Sequence, residues 1–445
     1  MKRTGITGKH LLTVFAAVFL LAACGSLDSL KEAFDDGVKK PMEGERISVL
    51  QLQKGLAPNP ALRAASFPLP DAWTNQFWPQ AGGYPSHTMG HLSLSGDLKR
   101  AWSSSIGTGG DRTPLTAAPI VADDMVFTLD AEGMVTAFSL SKGDKKWRQS
   151  VVPDGEDDTG VTGGGMAYSS GKIFATSGYK QIVCLNAASG HLLWKAAIAA
   201  PVRAAPTVMD DKIFLITMDN QLMVYDTADG SPLWNYTGVS ETTNLLGSAS
   251  VAADSSVVVL PLSSGELIGL RPENGAVVWE DNLSAVQRTG ALSSITDIRG
   301  LPVMDQGVVY AISYSGRMVA IDQVTGNRLW QREVGSAETP WAAGDSIFII
   351  TSDQQLVALA RQTGDIRWVV SLPKNDNDEP SVWTGPVLAG GRLITAGSGG
   401  ELLEISPDDG KILKTSDLPG DVTIAPVVAD NTLLLTRNGE LVAYR

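Results

Sequence analysis

From about residue 119 onward the chain alternates short apolar runs with glycine, asparagine and aspartate turns. "VVYAIS" (308–313), "IFIITS" (347–352) and "KIFLIT" (212–217) are rich in β-branched and aromatic residues. "GRMVAID" (316–322) and "NQLMVYD" (220–226) follow tight turns. No apolar stretch between them is long enough for a crossover helix, which excludes βαβ units. The alternation also repeats. A glycine followed four residues later by a tryptophan closes "KGDKKW" at Trp147, "SGHLLW" at Trp194, "DGSPLW" at Trp234, "NGAVVW" at Trp279, "TGNRLW" at Trp330 and "TGDIRW" at Trp368. A proline stands 28 positions before the tryptophan in four units: Pro119, Pro206, Pro302 and Pro340. Met166 and Val251 replace it in two others, and Pro386 keeps the spacing to Lys414, where the tryptophan is missing.

Four short strands per period of 38 to 51 residues are the signature of a β-propeller blade. Seven glycine turns are visible, at Gly143, Gly190, Gly230, Gly275, Gly326, Gly364 and Gly410, and an eighth unit starts at Pro426 and lacks its last strand. An orphan strand, "LKRAWSSSI" with Trp102, precedes the first full unit. The two incomplete pieces complement each other. The expected fold is therefore all-β: an eight-bladed β-propeller of four-stranded antiparallel blades, its ring closed by N- and C-terminal strands, which removes free sheet edges. Seven blades is the alternative. Trp102, Trp147, Trp194, Trp234, Trp279, Trp330 and Trp368 are expected to dock between neighbouring blades, so the strongest motif is structural.

The first residues follow another pattern. Lys2, Arg3 and Lys9 precede an apolar run, Leu11 to Ala23, and then Cys24. As a helix that run spans roughly 20 Å, short of the roughly 30 Å hydrocarbon core, so it reads as an export signal. "LAAC" resembles the lipobox of bacterial lipoproteins, which implies cleavage before Cys24 and its lipidation. Gly25, rather than aspartate, after that cysteine favours the outer membrane on its periplasmic face. The expected organisation is a signal peptide over 1–23, a lipid-anchored tether over 24–74 with prolines at 58, 60, 68 and 70, and the propeller over 75–445.

Net charge is −13, and removing 1–23 takes away only positive charges. That balance argues against nucleic acid or an anionic lipid surface as partner. With Cys24 lipidated, Cys184 has no disulfide partner, and its strand context "IVCLN" marks it as a small buried residue. His87 and His91 are spaced like a helical metal pair, but Pro85 and Gly90 spoil the helix. His191 falls in an exposed turn. "DGEDDTG" (154–160) and "NDNDEP" (375–380) lack a full calcium loop and read as solvated links. No nucleophile triad, phosphate loop or zinc spacing is present.

"AIDQVTGNRLW" (320–330) resembles the tryptophan-docking repeat of the quinoprotein (PQQ-like) propellers, over about residues 75–445. A lipobox followed by eight such blades resembles the BamB family of outer-membrane-protein assembly lipoproteins, most clearly over 297–330. That resemblance implies a non-enzymatic scaffold without cofactor, binding the POTRA domains of BamA in the outer-membrane assembly complex, its propeller monomeric. A PQQ-dependent dehydrogenase is the alternative from the same fold. Many members of that family stack the quinone on adjacent cysteines, absent here, and sugar-oxidising types without them need a base and cation ligands in the cavity. A scaffold for another periplasmic partner is the other alternative.

Because the 28-residue core is constant, length varies only between each tryptophan and the next proline. The longest such link runs from Trp279 to Pro302 and ends with Asp297 and Arg299 among Ile295, Ile298 and Leu301. Charges interleaved with apolar anchors suit a protein partner; Ile298 and Leu301 equally suit entry into the next blade. The adjacent link, 242–250, carries Leu245 and Leu246. By resemblance Leu245 matches a family leucine and Asp297 a family acid. Leu246 stands where an arginine is typical, and Arg299 replaces a second acid. These four residues are the expected partner-binding set.

Overall fold

The computed structural model describes residues 56–445 apart from 63–64, 108–114, 157–162, 203, 240–248, 285–296, 375–380, 419 and 438. The strands fold into eight antiparallel four-stranded sheets, in which the second strands are buried nearly throughout and the outer strands are largely exposed. Blades I to VII follow in chain order, each with its own inner, second, third and outer strand. Blade VIII is built from Val427–Ala429, Thr432–Arg437 and Glu440–Tyr444, and its outer strand is Arg100–Ser105. Trp102 pairs with Ala443 in that seam. The eight-blade closure by mixed termini is thus the observed one.

Tight hairpins join inner to second strands, and in several blades both turn residues take positive φ, as at Asp123–Asp124, Ser170–Gly171 and Asp430–Asn431. The core lies between blades, not within one centre. One apolar cluster joins Ile120, Phe127 and Val135 of blade I to Ile173 and Leu185 of blade II. Similar clusters join II to III, III to IV, IV to V and V to VI.

The tryptophans explain the repeat. Each indole N–H donates to a backbone carbonyl of the next blade: Trp102 to Leu140, Trp147 to Ala187, Trp194 to Thr227, Trp234 to Pro272, Trp279 to Gln323, Trp330 to Arg361 and Trp368 to Pro407. Each acceptor lies three residues before the next blade's turn glycine. That glycine touches the same ring: a Cβ on Gly326 would stand 2.3 Å from Trp279, and one on Gly143 2.5 Å from Trp102. Both glycines also hold φ near +75°, a region that penalises a side chain. So the glycine serves its own turn and the tryptophan of the blade before it.

Across each blade the tryptophan belongs to a row of three. Phe127–Ala137–Trp147, Phe174–Cys184–Trp194 and Phe348–Ala358–Trp368 are neighbours in register. The small middle residue lets the flanking rings approach, with centroids 5.8 to 6.1 Å apart in these three rows. Cys184 is such a middle residue. It is fully buried, and burial pushes its thiol up to about 11, so it packs as an inert small group.

Lys414 breaks the row for a visible reason. The tryptophan expected there would dock on a turn glycine of blade VIII. In place of that turn, Lys99 and Arg445 exchange backbone hydrogen bonds of 2.8 and 2.9 Å. The row becomes Ile394–Glu404–Lys414, with Lys414 Nζ 3.6 Å from Glu404 and 3.9 Å from Asp97, and Arg392 paired with the same glutamate.

Residues 56–74 were expected to belong to a tether. The described part of them lies against the propeller instead. Asn59 N–H donates to Ile366 O at 2.8 Å, and Phe67 lies under the Arg367 guanidinium at 3.8 Å. Prolines prevent a regular element here but leave carbonyls free to accept, as Pro70 O does from His91 Nδ1.

Candidate functional site

Residues 75–92 form a belt that visits all eight inner strands in ring order. Asn75 Nδ2 donates to Val428 O of blade VIII at 2.7 Å, and Asp430 N–H to Asn75 O. Trp78 and Val121 of blade I exchange backbone bonds of 2.8 and 2.9 Å. Pro79 O accepts from Tyr168 of blade II, and Gln80 Oε1 from Val208 of blade III. Pro85 O accepts from Ala253 of blade IV, and Ser86 O from Met304 of blade V. Gly90 O accepts from the Trp341 indole of blade VI, and Leu92 exchanges bonds with Leu388 and Gly390 of blade VII. Inner strands expose unpaired backbone groups toward the propeller axis, and the belt satisfies a share of them.

Nothing periodic announced the belt. Its signal is compositional: "WTNQFWPQAGGYPSHTMGH" is too rich in aromatic and amide side chains for a linker. The two histidines pin it. His91 gives Nδ1–H to Pro70 O and accepts Gly391 N–H at Nε2, both ring nitrogens being used. His87 gives Nδ1–H to Pro302 O at 2.7 Å, and burial lowers its pKa to about 4, so it stays neutral.

Under the belt lies a cavity of about 140 Å³ lined by Trp78, His87, Leu301, Glu338, Trp341 and Pro386 among others. Among the described residues of its lining Glu338 is the one carboxylate. Burial pushes that carboxyl up to about 7, opposed by the Gly385 N–H that it accepts at 3.1 Å and by the positive charge of Arg299. Calcium takes six to eight oxygens, and a quinone bearing several carboxylates would meet Glu338 as a like charge. Among the described residues no three acids, histidines or cysteines converge. This donor set does not fit a calcium-held quinone.

The four partner-binding candidates fall differently. Leu245 and Leu246 lie outside the described residues, as do Ile295 and most of both acidic clusters. Asp297 was expected on a partner surface, but it is 1 % exposed, and its carbonyl accepts Tyr314 N–H at 3.0 Å. Ile298 enters the core between blades IV and V. The link has to turn inward here to begin the next blade, and this takes Asp297 and Ile298 with it. Leu301 lines the cavity, its N–H given to Thr339 Oγ1. Arg299 alone of the described pair is exposed.

A model of the family described as outer membrane protein assembly factor BamB matches residues 131–370 and 374–445. The chain belongs to the BamB family. The Yersinia pestis BamB is 24% identical over 351 residues, 78% of this chain and 88% of that protein. The crystal structure of BamB from Moraxella catarrhalis superposes with TM-score 0.68 at 21% identity, covering 78% of this chain and all of that one. A europium-containing methanol dehydrogenase shares the fold at TM-score 0.63 and 16% identity, over 81% of this chain and 89% of its own. The belt of this BamB-family chain precedes the first matched residue.

Proposed function

We propose that this chain is a non-enzymatic scaffold lipoprotein of the outer-membrane β-barrel assembly machinery, anchored through Cys24 on the periplasmic face and binding the POTRA domains of BamA. The observation that carries it is the BamB family match, which runs through almost all of the propeller. The rigid 28-residue core with links of unequal length supports the reading, because binding sites concentrate on loops of rigid scaffolds. A cavity with one carboxylate among its described lining residues also speaks for scaffold over quinone enzyme.

The proposed contact uses the links around 242–250 and 280–301, with Leu245 and Leu246 on the first and Arg299 on the second. Buried Asp297 holds the second link in place. Arg299→Glu is expected to weaken binding of the purified chain to the POTRA domains about tenfold, roughly 1.4 kcal/mol, and to leave the thermal melt unchanged. Asp297→Arg is expected to destabilise the fold by roughly 3 kcal/mol or more, since it puts a longer side chain of opposite charge where a small buried carboxylate stood. Unchanged affinity for Arg299→Glu and for Leu245→Asp would move the contact off these links.

Cys24→Ser is expected to yield soluble or unprocessed protein, because stable attachment takes at least two acyl chains. Fractionation in cells lacking the partner checks this; full retention with the outer membrane would remove Cys24 as the anchor.

A further inference from the structure

The cavity under the belt has a chemistry that the scaffold reading does not use. Its walls are apolar: Trp78 and Trp341 stack with centroids 6.4 Å apart, and Leu301, Val387 and Ile424 complete the lining. Beside Thr339, whose Oγ1 accepts Leu301 N–H, three polar side-chain groups belong to that lining. The Trp78 indole N–H and His87 Nε2 are buried and have no hydrogen-bond partner. Because His87 Nδ1 carries the proton given to Pro302, Nε2 is a bare acceptor. The third group is Glu338, whose carboxylate takes one hydrogen bond, from Gly385, and makes no ion pair among the described residues. Arg299 acts on it only from an exposed position.

An apolar pocket with a few convergent polar groups is the usual form of a small-molecule site. Here the carboxylate selects the sign of the ligand. A carboxylate set in a largely apolar pocket is costly to ionise alone and is stabilised by an arriving cation, while an anion meets repulsion. Tryptophan faces favour the same charge through their quadrupole. We propose that this cavity binds a small free ammonium ligand with an aromatic or branched apolar body, the body against Trp78 and Trp341 and the ammonium at Glu338.

The pH dependence follows. Facing the site are His87, which stays neutral, and the guanidinium of Arg299, whose positive charge favours the carboxylate; Glu338 is the group that changes state near neutrality. Glu338 ionises through about pH 7, whereas an aliphatic ammonium holds its proton to about pH 10. Affinity should therefore rise from about pH 6 to about pH 8 and then level.

The test is calorimetric titration of the intact chain with 2-phenylethylamine, 2-phenylethanol and 3-phenylpropionate. The amine is expected to bind at least about tenfold more tightly than the alcohol, and the propionate to give no binding heat. Glu338→Gln is expected to lose about tenfold in amine affinity together with the pH dependence, at an unchanged melt. No binding of the amine at about 10 mM, equal binding of the propionate, or an unaltered Glu338→Gln would overturn the proposal. The ligand series on the unaltered protein decides the question even where the variant fails to fold. Its failure leaves the scaffold reading untouched.

Discussion

Trp279→Ala is expected to be the most damaging of the docking-tryptophan substitutions. Trp279 is 6 % exposed, the deepest of the seven. Its indole N–H is given to Gln323 O of blade V at 2.9 Å. It is also clamped by two glycines. A Cβ on Gly269 of its own blade would stand 2.3 Å from its ring, and one on Gly326 of the next 2.3 Å from its Cβ. Neither glycine carries a side chain that could move into the void left by alanine. Tryptophan truncation in a core costs about 3–5 kcal/mol, the upper end where the site cannot relax. Urea unfolding with a tryptophan-independent probe should show the midpoint falling, with Trp147→Ala less affected because Trp147 is only half-buried. Leu329, 54 % exposed on blade V's outer strand, is the control, and its alanine variant should move stability by about 0.5 kcal/mol or less. A Trp279→Ala loss no greater than that control would refute docking as the purpose of the repeat.

Removing the belt should cost still more. Deletion of residues 56–94 takes away the contacts to eight inner strands and buries nothing in return. It also withdraws Trp78, Met89 and Leu92 from the cluster that joins blades VI, VII, VIII and I. At about 1 kcal/mol net for each hydrogen bond, plus the penalty for inner-strand groups left unsatisfied, the loss rivals the roughly 5–15 kcal/mol that holds a typical domain together. The deleted chain is expected to expose protease sites across several blades and to lose its cooperative melt. Asn75→Leu is the graded version: it leaves Val428 O without its donor and should cost about 1–3 kcal/mol. A deletion variant that melts within a few degrees of the intact chain would reduce the belt to decoration.

The propeller was legible in the sequence because its determinants are local and repeated. A tryptophan four residues after a glycine, with a proline 28 residues before it, needs only counting. Even the seam was legible, since Trp102 stood as an orphan and the last unit lacked a strand. What the repeat did not reveal is that glycine and tryptophan of one motif serve different blades, a fact of three dimensions. Lys414 looked like a defect until Lys99 and Arg445 filled the place of the missing turn. The belt escaped because it has no period: each of its residues answers to a different blade. Asp297 was misplaced for a related reason. Its neighbours Ile298 and Leu301 admitted both a surface and a core reading, and the direction in which the link turns is set by contacts with Tyr314 and Thr339 that sequence spacing does not encode.

Propellers are built from interchangeable units, and a unit can in principle be gained or lost whole. This chain carries a gauge against that. From Asn75 to Leu92 the backbone can reach at most roughly 60 Å, and within that reach it meets every blade once. A ring of seven or of nine units would leave Asn75, Gln80 and His87 facing the wrong carbonyls and amides. The number eight is therefore held in two places, in the repeats and in a stretch that contains none, and neither can drift without the other.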